Sequence, residues 1–152
     1  LPDAGLLEYS GEHLKYEIDM LREAAALLPG IAPDTTWENA VLESWVVHLR
    51  NLIDFLYPRR RRADDVVADD FVDDPDEWER RRRPLSEPIR EARERADKRL
   101  AHLTTQRKGP EDLEGKEWAF AALTAELLVV LRQFGKSASK ARLHPDVLTA
   151  LA

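Results

Sequence analysis

The sequence predicts an all-α fold: an antiparallel four-helix bundle with one or two short extra helices between its second and third long helices. Three observations predict it. Apolar residues recur at steps of three, four and seven in four long segments. Each segment ends at a proline or a glycine. No stretch alternates apolar with polar residues as a half-buried strand would. Short connections between the first and second segments, and between the third and fourth, favour antiparallel neighbours. With 152 residues, 43% hydrophobic and 34% charged, the chain suits one domain over 1–152, with a real core and a heavily charged surface.

The first helix is expected from about Leu6 to Leu28. Leu7, Leu14, Ile18, Leu21, Ala25 and Leu28 make its stripe, and Pro29-Gly30 ends it. The second helix takes an N-cap from Asp34 to Thr36 and runs to about Tyr57, where Pro58 stops it. Val41, Trp45, Leu49, Leu52 and Leu56 form its stripe, with Glu43, Arg50 and Asp54 on the opposite face as solvent residues. Basic runs at Arg59–Arg62 and Arg80–Arg83 flank a segment, Asp64–Glu79, that holds nine acidic residues. Val66, Val67, Phe71, Val72 and Trp78 within it argue against a disordered linker, so short helices are expected near 63–71 and 75–82.

The third helix opens near Ser86, with Glu87 and Pro88 in its first turn, and runs to about Arg107. Its core residues are Ile89, Ala92, Ala96, Leu100 and Leu103, and a loop follows over 108–115. The fourth helix covers about Lys116 to Phe134, with Phe120, Leu123, Leu127, Leu131 and Phe134 in one stripe. Trp118, Ala122, Ala125 and Val129 widen that stripe, so this helix is expected to be buried on most sides, with Gly135 as its stop. A basic tail follows at 136–142, and Pro145–Leu151 is read as a final helical turn. The four tryptophans are expected in the core and at subunit contacts.

Composition removes several function classes. The absence of cysteine excludes disulfides, thiolate metal sites and cysteine nucleophiles. No Gly-rich phosphate loop, Gly-x-Ser-x-Gly elbow or His-Glu-x-x-His motif is present. Paired Glu-x-x-His motifs are missing, so a di-iron bundle is not expected; His13 and Glu17 offer only an i, i+4 ligand pair. Neither a metal nor a cofactor is expected. No apolar run is long enough to span a bilayer, which predicts a cytoplasmic protein without membrane contact. The chain starts at Leu1 with no signal-like segment, which predicts a trimmed or processed start. A net charge of −6 argues against a generic nucleic-acid coat but leaves room for a local basic groove.

The residues that look most like chemistry lie in Arg95-Ala-Asp-Lys-Arg-Leu-Ala-His102-Leu-Thr-Thr105. Residues seven apart on a helix lie about 20° apart, so Arg95 and His102 share a face with Arg99 between them. Histidine beside fixed cations can hold a phosphate or move a proton near neutral pH. Thr104 and Arg107 could add RNA contacts at the helix end. The competing reading makes His102 a cation at the helix C-terminus and pairs the arginines with Glu91 or Glu94. A second candidate is a polar pocket around His48, Asn51 and Glu126. His48 falls about 60° from the centre of an apolar stripe and needs a partner there, for which Glu17 or Glu126 qualifies. The two basic runs are read either as a nucleic-acid backbone site or as charges neutralised by the acids between them.

The Arg95/His102 segment resembles the HEPN superfamily of small all-helical bacterial proteins, many of them RNA-cleaving toxins or parts of antiphage systems. Its signature is an arginine, often followed by a polar residue, and a histidine after four to six intervening residues. Here six intervene, and Ala96 stands where the family often has Asn, Asp or His. The family's arginine usually opens its helix, whereas Arg95 is expected well inside one. The abortive-infection branch is the nearest in Arg50-Asn-Leu-Ile-Asp-Phe55, Asp64-Asp-Val-Val-Ala-Asp-Asp70 and Arg99-Leu-Ala-His-Leu-Thr104. The resemblance implies a homodimer with RNA between subunits and metal-independent cleavage by 2′-hydroxyl attack. His102 would be the acid or base, with Arg95 and Arg99 stabilising charge. Two other readings compete with it. One is a non-catalytic interaction or regulatory dimer, antitoxin-like and bound to a protein partner. The other is a small-ligand-binding bundle with its pocket at His48.

Overall fold

The computed structural model describes residues 1–101 and 118–152, and among them the fold is all-α. Helix α1 (Asp3–Tyr9), a π-helical turn (Ser10–Leu14) and α2 (Lys15–Leu27) follow one another without a break, closed by a 3-10 turn at Leu28–Gly30. Helix formation begins at Asp3 rather than Leu6, and the buried leucine of the first turns is Leu6, not Leu7. The wide turn explains that shift: a π turn spends an extra residue, so the face set by Leu14, Ile18 and Leu21 meets the chain one position earlier.

The π turn also receives the C-terminal segment. The buried Ser10 hydroxyl donates to the Leu7 carbonyl at 2.9 Å and accepts the His144 backbone N–H at 2.9 Å. Gly11 lies directly under the His144 ring. A Cβ there would come within 2.9 Å of the imidazole Cγ, which leaves room only for glycine.

Helix α3 (Thr36–Leu56) starts where its sequence signals say. Thr35 is the N-cap, its Oγ1 accepting the Glu38 N–H at 3.1 Å, while the Glu38 carboxylate accepts the Asp34 N–H at 2.7 Å. Asp34 takes the left-handed conformation (φ 59°) that turns the chain into the cap. Beyond α3, the segment expected to be helical over 63–71 is helical only as a 3-10 turn at Ala68–Phe71. The Asp70 carboxylate accepts the Val67 N–H at 3.0 Å there, and Val72 then extends to pair with Ala138 in an isolated antiparallel bridge. Helix α4 (Pro75–Arg81) follows, capped by Asp74 and anchored by the buried Trp78.

Helix α5 (Glu87–Ala101) buries Ile89, Ala92 and Ala96. Helix α6 (Phe120–Ser137) departs from expectation in three respects. Trp118 precedes it rather than lying on it. Its second buried flank is Thr124, Leu128 and Val130, while Ala122, Ala125 and Val129 face solvent. Gly135 does not stop it: the helix continues to Ser137, and Gly135 serves close packing, since a Cβ would lie 3.0 Å from Leu148 Cδ2. Helix α7 (Pro145–Leu151) is a true closing helix, with Val147 and Leu151 buried.

The long helices pack through one connected core. Helix α2 lies against α3, α6 and α7; α3 also meets α5 and α6; α6 also meets α5 and α7. Two aromatic groups organise it. Phe55, Phe71, Trp78 and Phe134 meet edge to face, with ring centroids 5.2 to 5.9 Å apart. At the other end Trp45 packs edge-on to Trp118 at 5.4 Å and donates its indole N–H to Thr124 Oγ1 at 2.9 Å. Each such ring contributes about 1.5–3 kcal/mol by burial, and edge-to-face pairing adds roughly 0.5–1.5 kcal/mol. Trp37, in contrast, is 61% exposed at the start of α3. No helix among the described residues is long and apolar enough to cross a membrane.

Candidate functional site

Two Arg-x-x-x-Asp spacings, Arg50 to Asp54 on α3 and Arg93 to Asp97 on α5, place each pair on one helix face. Packing α3 on α5 brings the four together, and Arg59, just past Pro58, joins them. Asp97 is the hub: its two oxygens accept from Arg50 Nε at 2.6 Å and Arg59 Nη2 at 2.7 Å. Asp54 lies 3.7 Å from Arg93 and 3.8 Å from Arg59, its Oδ1 buried and without a hydrogen bond. Three guanidinium groups thus face two carboxylates, leaving the cluster cationic by one. Arg50 and Asp54, expected on a solvent face, are instead the link between helices.

The environment pulls the two acids apart. Burial pushes the Asp54 carboxyl above its ordinary value, and Arg59, Arg93 and Arg50 only partly oppose this. Burial also pushes on Asp97, but the hydrogen bonds and charges of Arg59 and Arg50 outweigh it and hold that carboxyl below the usual range. Arg93 is buried, and burial with nearby Arg59 draws its guanidinium down. It donates to the Tyr57 carbonyl at 3.0 Å, while Arg82 donates to the Leu56 carbonyl. Two cations therefore satisfy carbonyls at the C-terminus of α3, where the helix dipole favours positive charge.

Arg95 occupies the opposite flank of α5, about 200° around the axis from Asp97. It is half-buried, its guanidinium 4.1 Å from the centre of the Trp118 ring. It lies inside the helix, two turns after Glu87. Arg99 is carried by the last turn of α5. His102, Thr104 and Arg107 lie outside the described residues.

The pocket residues fall differently. His48 is buried, and its Nδ1 lies 2.7 Å from Glu17 Oε2. Asn51 Nδ2 donates to both Glu17 oxygens at 3.2 and 3.3 Å, and Tyr16 packs edge-on to the imidazole at 5.5 Å. The trio is thus His48, Asn51 and Glu17. Glu126 stands on α6 outside this hydrogen-bonded set, and its charge bears on Tyr57 instead.

Beside the trio opens a groove of about 1150 Å³. Its lining comes from Tyr9, His13 and Glu17 of the first helices, from the end of α3, and from the 58–67 segment with its four arginines. No family model matches the chain, and neither a curated protein nor a solved structure matches it. Sequence reasoning missed the Arg50–Asp54–Arg59–Arg93–Asp97 cluster. The repeated Arg-x-x-x-Asp spacing was its one available signal.

Proposed function

We propose that this chain is a HEPN-like helical protein of a bacterial toxin–antitoxin or defence system that acts on RNA. In this reading its long helices form an antiparallel four-helix bundle, and two copies pair to place RNA between them. His102 moves the proton, while Arg95 and Arg99 stabilise charge at the phosphate, without a metal. Thr104 and Arg107 hold the RNA strand. The observation that supports it is the seating of Arg95. Its guanidinium carbon lies over the Trp118 ring, and a cation–π contact of this kind holds a positive charge in a fixed place beside α5.

The test is RNA cleavage by the purified protein, with and without EDTA, beside His102→Ala. Cleavage that survives EDTA and vanishes in the variant supports the proposal; no cleavage across varied RNAs overturns its catalytic part. A second reading, a non-catalytic interaction dimer with a protein partner, is favoured by one observation. Arg95 lies inside α5 and is followed by the buried Ala96, unlike the family's helix-opening arginine with its polar neighbour. Under it the protein binds a partner and leaves RNA intact.

A further inference from the structure

We propose that the groove between the π turn and the 58–67 segment is a binding site for a phosphate ester carrying an aromatic base, at nucleotide scale. This proposal is independent of the reading of α5. Small-molecule clefts run roughly 300–1,000 Å³, so a groove of about 1150 Å³ holds a nucleotide with room for water. Its lining has two chemistries. Tyr9 and His13 stand with ring centroids 4.9 Å apart and planes tilted by 50°, so a base can stack on one of the two rings. The arginines of the 59–62 run supply the other chemistry, and they differ in their ion pairs.

Arg59 is held by Asp97 and Arg61 by Asp70. Arg60 and Arg62 are exposed and line the groove, and their guanidinium groups have no partner among the described residues. The acids of the groove are mostly engaged. Glu17 holds His48 and Asn51, Asp54 belongs to the α3–α5 cluster, and Asp65 accepts the Arg62 backbone N–H at 2.7 Å. Five arginines line the groove against four carboxylates, so it is cationic by one. Two uncommitted forks in one groove with an aromatic pair are the donor set that recognises a phosphate with a base attached.

The ligand comes either as a free nucleotide or as the phosphorylated end of an RNA strand, and titration calorimetry separates the two. The probes are AMP, adenosine, inorganic phosphate and a short single-stranded RNA with a 5′-phosphate. The proteins are wild type, Arg60→Gln/Arg62→Gln, Tyr9→Leu and His102→Ala. The expected result is salt-sensitive binding of AMP that falls by about tenfold or more in the double arginine variant. It falls in Tyr9→Leu as well and is unchanged in His102→Ala. Adenosine and inorganic phosphate each bind more weakly than AMP. Binding of the RNA but not AMP, with the same dependence on Arg60 and Arg62, assigns the strand end as the source. No binding of AMP or RNA, or binding indifferent to Arg60→Gln/Arg62→Gln, overturns the proposal. Both arginines are exposed, so circular dichroism of that variant should match wild type. Loss of RNA cleavage in His102→Ala with AMP binding intact keeps this result separate from the proposed activity.

Discussion

Asp54 and Asp97 carry the same charge in one cluster, yet burial governs the first and arginine contacts govern the second. Their linkage to stability therefore has opposite signs. Asp97, held low, contributes stability that is present above its unfolded value and lost as pH falls through its folded value. Asp54, held high, favours folding at low pH and loses that contribution as pH rises through its folded value. Unfolding by denaturant between about pH 5 and pH 3 should show it. Asp97→Asn should lose less stability on acidification than wild type, and Asp54→Asn should lose more. Parallel curves for all three proteins would refute the assignment. At pH 7, Asp97→Asn should cost about 1 kcal/mol, a modest figure because both its arginine partners are more than a third exposed. Neither aspartate was legible as a contact in the sequence. An i, i+4 Arg/Asp pair on a polar face reads as a solvated pair until a second helix supplies its complement.

Among elements, the stripe of α3 was fully legible, because Val41, Trp45, Leu49, Leu52 and Leu56 recur at α-helical steps and all are buried. The cap was legible to within Asp34–Thr36, and Thr35 takes it, with its Oγ1 accepting the Glu38 N–H. The first helix and α6 were legible in position but not in detail, for a shared reason. Gly11 answers to His144, the N-cap of α7, and Gly135 to Leu148 on α7 itself, and local propensity cannot report contacts between elements. Gly11→Ala should therefore destabilise the protein by about 1–2 kcal/mol: overpacking against His144 costs about 1–3 kcal/mol, and the gain in helix propensity returns about 0.5–1 kcal/mol. In a His144→Ala background the same change should be neutral or stabilising. A double-mutant cycle measured by thermal unfolding checks this, and additivity would rule out the close approach as the cause.

For the whole molecule, Arg142 is the tie between distant parts of the chain. It donates to Asp3 at 2.9 Å and to the Val72 carbonyl at 2.8 Å, while its own carbonyl lies 3.3 Å from the Ser10 hydroxyl. Ser139 adds a backbone bond to the Phe71 carbonyl at 2.8 Å. Arg142→Ala should cost about 1–2 kcal/mol and speed amide exchange at Ser139 and His144 more than in the middle of α3. Uniform acceleration would mean global destabilisation alone. The all-α class was legible from periodicity. The groove was not, because its walls come from residues about fifty positions apart and neither wall is apolar enough to leave a periodic trace. The Tyr9 side of the groove also depends on the π turn, which takes up one residue more than an ordinary helix would. Closing that turn into an α-helix with every residue kept would swing everything before it by about 100°, taking Leu6 from the core and Tyr9 from the groove. Deleting one residue between Ser10 and Leu14 would instead let the turn close with both still in place, so the extra residue and the wide turn cancel, and either change alone would undo this side of the groove.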